Sequence, residues 1–413
     1  MRKNTLIENC RICSGNLVNV FNLGKQPLAN SLNKKKNDKE NFFFLELVFC
    51  KKCKVVQLSQ TINKSSLFKN YIWNTGVSST ALKFSEYFFE IVKKKYFINN
   101  KRFVLEIASN DGTFLKPFQD NGHKVLGIDP ASNIIKLAKK NKIKTINNFF
   151  DTKEAKKILS THGYSDFVFA RNVIPHVENI NDVINGLRIV MDNESIGAIE
   201  FHYSRKILEK NQYDSIYHEH IFYFSLTTIQ NLLKKHNLHI FDCLESKISG
   251  GSLIVFFSKK KKKNSEFFLK LLTFEKKNKI NHYKTWKSFA INSTNHKEIF
   301  LNSLDKLVEK YHKIVGYGAS ARSSTFLNFC KINSSKIKYI LDKSRLKKNM
   351  FTPGSKIKIL DPCIIKKNRP DLILILAWNF FKEISFYLKY TLKYEGDFFV
   401  AFPRTKIIKN HDI

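Results

Sequence analysis

The sequence predicts an α/β protein in which a small N-terminal zinc-binding lobe precedes two Rossmann-like domains. Two Cys-x-x-Cys pairs lie near the N-terminus, and two later stretches alternate strand-like apolar segments, glycine turns and helix-like segments. A length of 413 residues also exceeds what one ordinary core accommodates. We place the lobe at residues 1–70, the middle domain at 71–258 and the C-terminal domain at 259–413.

Composition restricts the class of protein. Apolar residues make up 43% of the chain and include 37 Phe, which is enough for real cores and excludes a disordered chain. The longest apolar run, residues 372–378, has the length of a buried strand and is far shorter than the roughly 20 residues of a membrane span. The first residues, Met1–Asn4, carry no apolar signal region, so we expect a cytoplasmic protein.

The net charge is strongly positive, with 71 Lys+Arg against 35 Asp+Glu, or +36. Lysines are spread along the whole chain, including the run Lys259–Lys263, which favours a compositional bias on solvated surfaces. A surface that binds polyanions is the alternative interpretation. A positive field would also favour a negatively charged small substrate.

Four of the seven cysteines form two pairs, Cys10-x-x-Cys13 and Cys50-x-x-Cys53. Two such pairs supply the four thiolates of a tetrahedral Zn²⁺ site. A redox pair and four unrelated buried thiols are the alternatives. A site closed by four cysteines has no open coordination position, so the zinc is expected to stabilise the lobe and not to catalyse.

The middle domain starts with a strand and turn at 103–112 that contain one glycine. A single glycine suits a dinucleotide pyrophosphate poorly, because close backbone approach needs several. The pattern favours S-adenosylmethionine, while NAD or no cofactor remain open. Glu106 and Asp111 would lie near its cationic methionine part, and Asp129, which ends the next strand, suits ribose hydroxyls.

A cluster of proton-carrying side chains follows, with His176, His202, Tyr213 and the tetrapeptide Tyr217-His-Glu-His220. A histidine beside a carboxylate is a candidate general base near neutral pH. The spacing of His218 and His220 is also compatible with a metal site, and a purely structural role is a further alternative.

The last part of the chain predicts a Lys-rich, mostly helical bridge at 259–310 and then a second α/β unit. Its strands are expected at 313–318, 338–342 and 370–379, with Gly316-x-Gly318 at the first turn. Ala321 stands where a dinucleotide motif has its third glycine. Two sheet domains in one chain suggest a cleft with cofactor on one and substrate on the other.

With these pieces in place, the sequence resembles the three-domain S-adenosylmethionine-dependent sugar C-methyltransferases, which act at C3 of 4-keto-2,6-dideoxy sugar nucleotides. The resemblance covers nearly the whole chain, and Tyr217-His-Glu-His220 after a four-cysteine lobe is its most specific part. The other matching segments are Tyr71-x-Trp73-x-x-Gly76-Val-Ser78, Leu105–Thr113, Asn172–His176, Gly250–Leu253, Gly316–Ala319 and Leu376–Asn379.

The resemblance implies a role for each site residue. His220 would remove the proton next to the ketone, Glu219 would orient it or hold a sugar hydroxyl, and Tyr217, Tyr71 and His176 would line the site. The implied cofactor-binding residues are Glu106, Ala108, Asn110, Asp111, Gly112, Asp129, Pro130 and Asn172. The implied substrate-binding residues are Tyr217, Gly318 and Asn379, and the metal ligands are Cys10, Cys13, Cys50 and Cys53.

The sequence departs from the family pattern at several positions. Ala108 replaces a usual glycine, Ser249 a usual histidine and Ile254 a common arginine, and 319–324 reads Ala-Ser-Ala-Arg-Ser-Ser instead of Ala-Pro-Ala-Lys-Gly-Asn. These changes leave open a different acceptor carbon, oxygen or nitrogen on another small metabolite. A zinc-containing polyanion-binding protein is the non-enzymatic alternative. The expected partner is a nucleotide sugar, with neither nucleic acid nor membrane.

Overall fold

The computed structural model describes residues 5–63, 67, 74–96, 101–246 and 250–413. Tyr71, to which the resemblance gives a catalytic role, lies outside the described residues, as does Ser249. Within the described ranges, no helix combines the length and the apolar character needed to cross a membrane.

The N-terminal lobe is built on an antiparallel sheet. Its strands are β1 (Thr5–Leu6), β2 (Leu17–Pro27), β3 (Phe42–Cys50), β4 (Val56–Leu58) and β5 (Gln60–Thr61). The main sheet has the order β11-β4-β3-β2, and β11 (Phe222–Tyr223) comes from the middle domain. The lobe therefore includes a strand that follows the tetrapeptide Tyr217-His-Glu-His220 in the chain.

The middle domain is a seven-stranded sheet with the order β12-β13-β10-β9-β6-β7-β8. Its strands are β6 (Phe103–Ile107), β7 (Lys124–Ile128), β8 (Thr145–Ile146), β9 (Phe167–Arg171), β10 (Ile196–His202), β12 (His239–Ser246) and β13 (Ser252–Ser258). Strands β6 to β10 are parallel, and β13 runs antiparallel to β10 and β12. The order reverses between β6 and β9, where ligands bind at the carboxyl ends of such sheets.

Helices cover both faces of this sheet. The helices are Ser79–Tyr96, Lys116–Asp120, Ser132–Lys140, Thr152–His162, Ile180–Val190, Ser204–Glu209 and Leu226–Lys235. One face buries a phenylalanine-rich layer that includes Phe88, Phe118, Phe167 and Phe169. The helix-forming residues 113–119 predict a helix that begins at Thr113, but Lys116 is the first helical residue. The Asp111 carboxylate accepts from the Thr113 backbone N–H and hydroxyl and holds a turn there.

The C-terminal domain confirms the second doubly wound sheet. Its order is β16-β15-β14-β17-β18-β19, all parallel except β19. The strands are β14 (Ile314–Tyr317), β15 (Ile340–Leu341), β16 (Ile359–Leu360), β17 (Leu372–Ile375), β18 (Asp397–Val400) and β19 (Lys406–Ile408). The helices Ala321–Phe329 and Phe381–Phe386 accompany them.

The predicted helical bridge consists of the helices Glu266–Lys277 and Tyr283–Lys310. The second helix packs its Phe289 ring edge-on against Phe21 of the N-terminal lobe, with the ring centroids 6.1 Å apart. Phe300 of the same helix stacks on Phe399 of the C-terminal sheet at 5.3 Å. The lobe and the C-terminal domain therefore share one hydrophobic core.

Candidate active site

The four N-terminal cysteines converge, with all four Sγ atoms within 4.8 Å of one another. The Cys10–Cys53 and Cys13–Cys50 sulfur pairs lie 3.6 and 3.5 Å apart. A tetrahedral zinc with bonds of about 2.3 Å separates its ligands by roughly 3.8 Å, so the set fits the ion. Gln57 Nε2 donates to Cys10 Sγ at 3.1 Å, which stabilises a thiolate.

The first cysteine turn is bound by the middle domain. Asn181 Nδ2 donates to the carbonyl oxygens of Arg11 and Ile12 at 3.1 and 3.2 Å, and Lys235 Nζ donates to the Ile12 carbonyl at 2.6 Å. The Arg11 guanidinium in turn donates to the Leu58 carbonyl and the Thr61 hydroxyl. The metal cluster is thereby tied to Thr61, which lines the cavity described next.

A cavity of about 840 Å³ lies at the carboxyl ends of the middle sheet, and all three domains contribute to its wall. The predicted site residues that line it are Glu106, Ala108, Asn110, Asp129, Pro130, Asn172, His176, Tyr217, His220 and Asn379. Asn30 and Thr61 come from the lobe, and Ser320, Arg322 and Lys347 from the C-terminal domain. The predicted cleft between two sheet domains is therefore present.

Tyr217 and His220 form a hydrogen-bonded pair in the cavity wall. The Tyr217 hydroxyl lies 2.6 Å from His220 Nε2, and the rings are 3.9 Å apart between centroids. His220 Nδ1 lies 2.8 Å from the Ser215 carbonyl oxygen. Because a carbonyl only accepts, Nδ1 carries the proton of the neutral ring, and Nε2 accepts from Tyr217. The pair presents an unprotonated nitrogen at the cavity.

Two further histidines surround His220, with the His176 and His202 ring centroids at 4.9 and 6.5 Å. Burial lowers the pKa of His176 to about 4 and that of His202 to about 3. Burial, these two histidines and the Arg322 cation hold the pKa of His220 well below its ordinary value. The cluster is uncharged at neutral pH, so His220 is available to accept a proton.

The other two members of the tetrapeptide lie behind the cavity wall. Glu219 is buried, and Asn30 Nδ2 donates to its two carboxylate oxygens at 2.7 and 2.9 Å. Burial raises the pKa of Glu219 to about 7. His218 is buried against the edge of Phe43. Neither side chain is among the lining residues, so the role implied for Glu219 stays a prediction.

The turn after β6 has an unusual backbone. Ala108, Asn110 and Gly112 all have positive φ, at 54°, 52° and 79°. Asp129 fixes the turn from the next strand, since its Oδ2 accepts from Asn110 N at 2.9 Å and its Oδ1 from Ala131 N at 2.8 Å. These bonds hold Asp129 at the cavity wall.

Three predicted binding residues build the scaffold behind the wall. Asp111 accepts from the backbone N–H of Gly76 at 2.8 Å. A Cβ on Gly112 would lie 2.7 Å from Ile143, and one on Gly318 would lie 2.5 Å from the Ala377 Cβ. Close packing at these two positions therefore explains why both are glycine. They do not line the cavity, and direct contact of these three with ligands stays a prediction.

No pattern in the sequence indicated the charged network around Arg322. Its guanidinium binds the buried Asp214 carboxylate through Nε at 3.0 Å and Nη2 at 2.8 Å, and the Trp378 indole N–H donates to the same carboxylate at 2.8 Å. Gln212 Oε1 accepts from Arg322 and His202, at 3.1 and 2.7 Å. The departure from the family pattern at 319–324 drew attention to this segment, but no pattern in the sequence indicated that Arg322 contacts Asp214.

Comparisons with known proteins agree with this architecture. Residues 10–68 match a family model described as a zinc binding domain, 84–242 match a methyltransferase domain, and 247–403 match a C-methyltransferase C-terminal domain. The three matches follow one another along the chain in the predicted order, and the predicted resemblance to three-domain C-methyltransferases is confirmed. The chain is an S-adenosylmethionine-dependent enzyme with a structural zinc site, as the sequence predicts.

The individual relatives have low sequence identity to this chain. The C-methyltransferase NovU of Streptomyces niveus is 28% identical over 97% of both chains. A magnesium protoporphyrin IX methyltransferase from Synechocystis with bound SAM is 14% identical, covering 43% of this chain and 79% of its own, with a TM-score of 0.34. The PH0226 protein of Pyrococcus horikoshii is 18% identical, covering 48% and 98%, with a TM-score of 0.35.

Proposed function

We propose that this C-methyltransferase methylates the carbon next to the ketone, C3, of a nucleotide-linked 4-keto-deoxysugar through an enolate. The observation that carries the proposal is the Tyr217–His220 pair in the cavity wall, with Nδ1 of His220 fixed by the Ser215 carbonyl. A carbon acceptor needs a base of this kind, because a C–H group next to a ketone is not acidic enough to lose its proton unaided.

In this mechanism His220 Nε2 takes the C3 proton, and the electron pair of the broken C–H bond passes into the carbonyl to form the enolate. The single lone pair of Nε2 accepts from Tyr217 in the structure, so the phenol must first turn from Nε2 to the ketone oxygen, where it donates to the developing enolate. When held beside Glu106 and Asn110, S-adenosylmethionine would supply the methyl group, and the methyl–sulfur bond would break as the enolate carbon bonds to the methyl carbon. The remaining task of the protein is positioning and the exclusion of water.

The nucleotide end of the substrate is assigned to the C-terminal side of the cavity. Ser320, Arg322 and Lys347 line that side together with Asn379. Two of these residues are cationic, which suits a diphosphate. The cavity volume of about 840 Å³ is at the upper end of ordinary ligand sites and suits a cofactor and a sugar together.

The test separates proton removal from methyl transfer. The enzyme is incubated in D₂O with S-adenosylhomocysteine and a nucleotide-linked 4-keto-deoxysugar, and deuterium at C3 is followed by NMR. Wild type is expected to exchange the C3 proton, and to add one methyl group to the sugar when S-adenosylmethionine is supplied. His220→Asn should lose both reactions, whereas His312→Asn, a matched change at an exposed position, should keep both.

Methylation without C3 exchange, or a fully active His220→Asn enzyme, would contradict the enolate mechanism. Methylation of an oxygen or nitrogen of another metabolite would identify the alternative acceptor. We also propose the domain boundaries given above, at residues 70 and 258, a cytoplasmic location and no nucleic-acid partner. These rest on the sequence.

A further inference from the structure

We propose that Arg171 binds the α-carboxylate of the methionine part of S-adenosylmethionine, and that Arg171 and Glu106 together recognise both charges of its amino-acid end. This inference rests on the cofactor and is independent of the sugar substrate. The sequence pattern indicated only acidic groups near the methionine part and no role for Arg171.

The two residues lie on adjacent strands of the middle sheet. Glu106 belongs to β6 and Arg171 ends β9, its neighbour, at the point where the strand order reverses. Both residues line the cavity, together with Asn110 and Asn172 of the same strand-end loops. A ligand in the crevice at the reversal point therefore meets a carboxylate and a guanidinium side by side.

Arg171 is held rigidly. Its Nε donates to Glu200 Oε2 at 2.7 Å, and its Nη2 lies 2.5 Å from the same oxygen. The guanidinium carbon sits 3.2 Å from the centroid of the Phe114 ring. The side chain of Arg171 is only 11% exposed, so the cation is part of the cavity wall and not a mobile surface group. Glu200 occupies the Nε–Nη2 edge of the guanidinium, so the Nη1 side is the one that would donate to a ligand carboxylate.

Glu106 needs a positive partner that the described chain does not fully provide. It is 3% exposed, and its Oε2 is buried without a hydrogen-bond partner among the described residues. Burial raises its pKa and the Arg171 charge opposes that change, so the two groups act on each other electrostatically. An ammonium group placed beside Glu106 would satisfy the unpartnered oxygen.

The charges around Arg171 also support binding of the methionine part at this end of the cavity. Glu106 and Glu200 are two buried acids around one guanidinium, and Glu200 Oε1 also lacks a partner among the described residues. The methionine part of S-adenosylmethionine carries an ammonium, a sulfonium and one carboxylate. The cavity wall offers the carboxyl groups of Glu106 and Asp129 and the Arg171 guanidinium, which complement that set provided that the ligand's carboxylate meets Arg171.

The competing interpretation is that Arg171 only neutralises its acidic neighbours. The two interpretations differ in one respect, which is whether the ligand's carboxylate contributes to binding through Arg171. Two probes separate them, because S-adenosylhomocysteine carries the amino-acid end and 5′-methylthioadenosine shares its nucleoside and thioether but lacks that end.

Calorimetric titration of the full-length protein with both probes is the test. Arg171→Met is expected to weaken S-adenosylhomocysteine binding by about tenfold to a hundredfold, the range for one hydrogen-bonded charged contact, and to change 5′-methylthioadenosine binding less than about threefold. Arg171→Lys should lie between wild type and Arg171→Met. Arg205→Met is the matched control, since Arg205 also stacks on a ring, Phe274 at 3.8 Å, and pairs with a glutamate, but lies outside the cavity.

An equal loss of affinity for both probes, or no loss for S-adenosylhomocysteine, would overturn the proposal. If Arg171→Met does not fold because Glu200 is left unpaired, the double change Arg171→Met with Glu200→Gln replaces it and is judged by the same ratio. Wild type that binds neither probe would refute the cofactor assignment as well. Wild type that binds both but does not exchange the C3 proton would refute only the sugar mechanism.

Discussion

Replacing Glu219 by Gln is expected to stabilise the protein, by an amount that grows as the pH rises from about 4.5 to about 7. Glu219 is 3% exposed, and the hydrogen bonds found for its carboxylate come from Asn30. Burial raises its pKa from an ordinary 4.5 to about 7. The folded state therefore binds a proton that the unfolded state releases between these values, so the free energy of unfolding falls as pH rises through that window.

The size of the effect follows from the same pKa change. One pKa unit corresponds to about 1.4 kcal/mol, so ionised Glu219 costs the folded state about 3 kcal/mol above neutral pH. Glutamine keeps an acceptor for Asn30 and never ionises. The two proteins should be equally stable near pH 4, and Glu219→Gln should be more stable by up to about 3 kcal/mol at pH 8.

Urea unfolding of both proteins across pH 4–8 measures this difference. Glu275→Gln is the control, because Glu275 is also buried but accepts from the Tyr203 hydroxyl and from the backbone N–H groups of Leu226 and Thr227. That variant loses satisfied acceptors and should be less stable than wild type. A Glu219→Gln difference that does not change with pH would refute the reasoning.

Three further predictions concern other parts of the molecule. Cys50→Ser should lose the metal and most of the soluble yield, and metal-free protein that stays folded and active would contradict a structural zinc. Tyr217→Phe should lower kcat about 10²–10³-fold, from steady-state kinetics, while cofactor affinity is unchanged. Ala108→Gly removes the strain of a left-handed alanine but raises the conformational entropy of the unfolded chain. Urea unfolding should therefore show a gain in the free energy of unfolding below about 1 kcal/mol, and a loss would contradict this prediction.

Local chemistry made much of the architecture predictable. The two cysteine pairs predict the metal cluster because each pair forms one turn. The second pair completes the cluster regardless of the residues between the two pairs. The strands before the two glycine turns appear in the sequence as apolar runs. Their positions after the cysteine pairs predict the order of the three domains. The start of the helix at Lys116 was missed because the Asp111–Thr113 hydrogen bonds give no periodic signal.

Long-range pairing limited the prediction of the site. His218 and His220 look alike in the sequence, but the turn at 217–220 directs only His220 to the cavity. The contact of Glu219 with Asn30 joins residues 189 positions apart, and that of Arg322 with Asp214 spans 108 positions. Such pairs depend on how the domains dock, and no spacing within one segment encodes them.

The pairing of β11 with β4 joins the metal-binding lobe to the turn at residues 217–220 that carries the proposed base. Phe222 and Tyr223, which follow His220 by two and three residues, are hydrogen-bonded to Gln57 and Val56 beyond the second cysteine pair. Loss of zinc is therefore expected to loosen a strand edge beside His220, the proposed base, which lies 170 positions after Cys50 in the chain. Activity should thus vary with zinc supply although no step of the reaction involves the metal, and amide hydrogen exchange at Phe222 and Tyr223 would report metal occupancy.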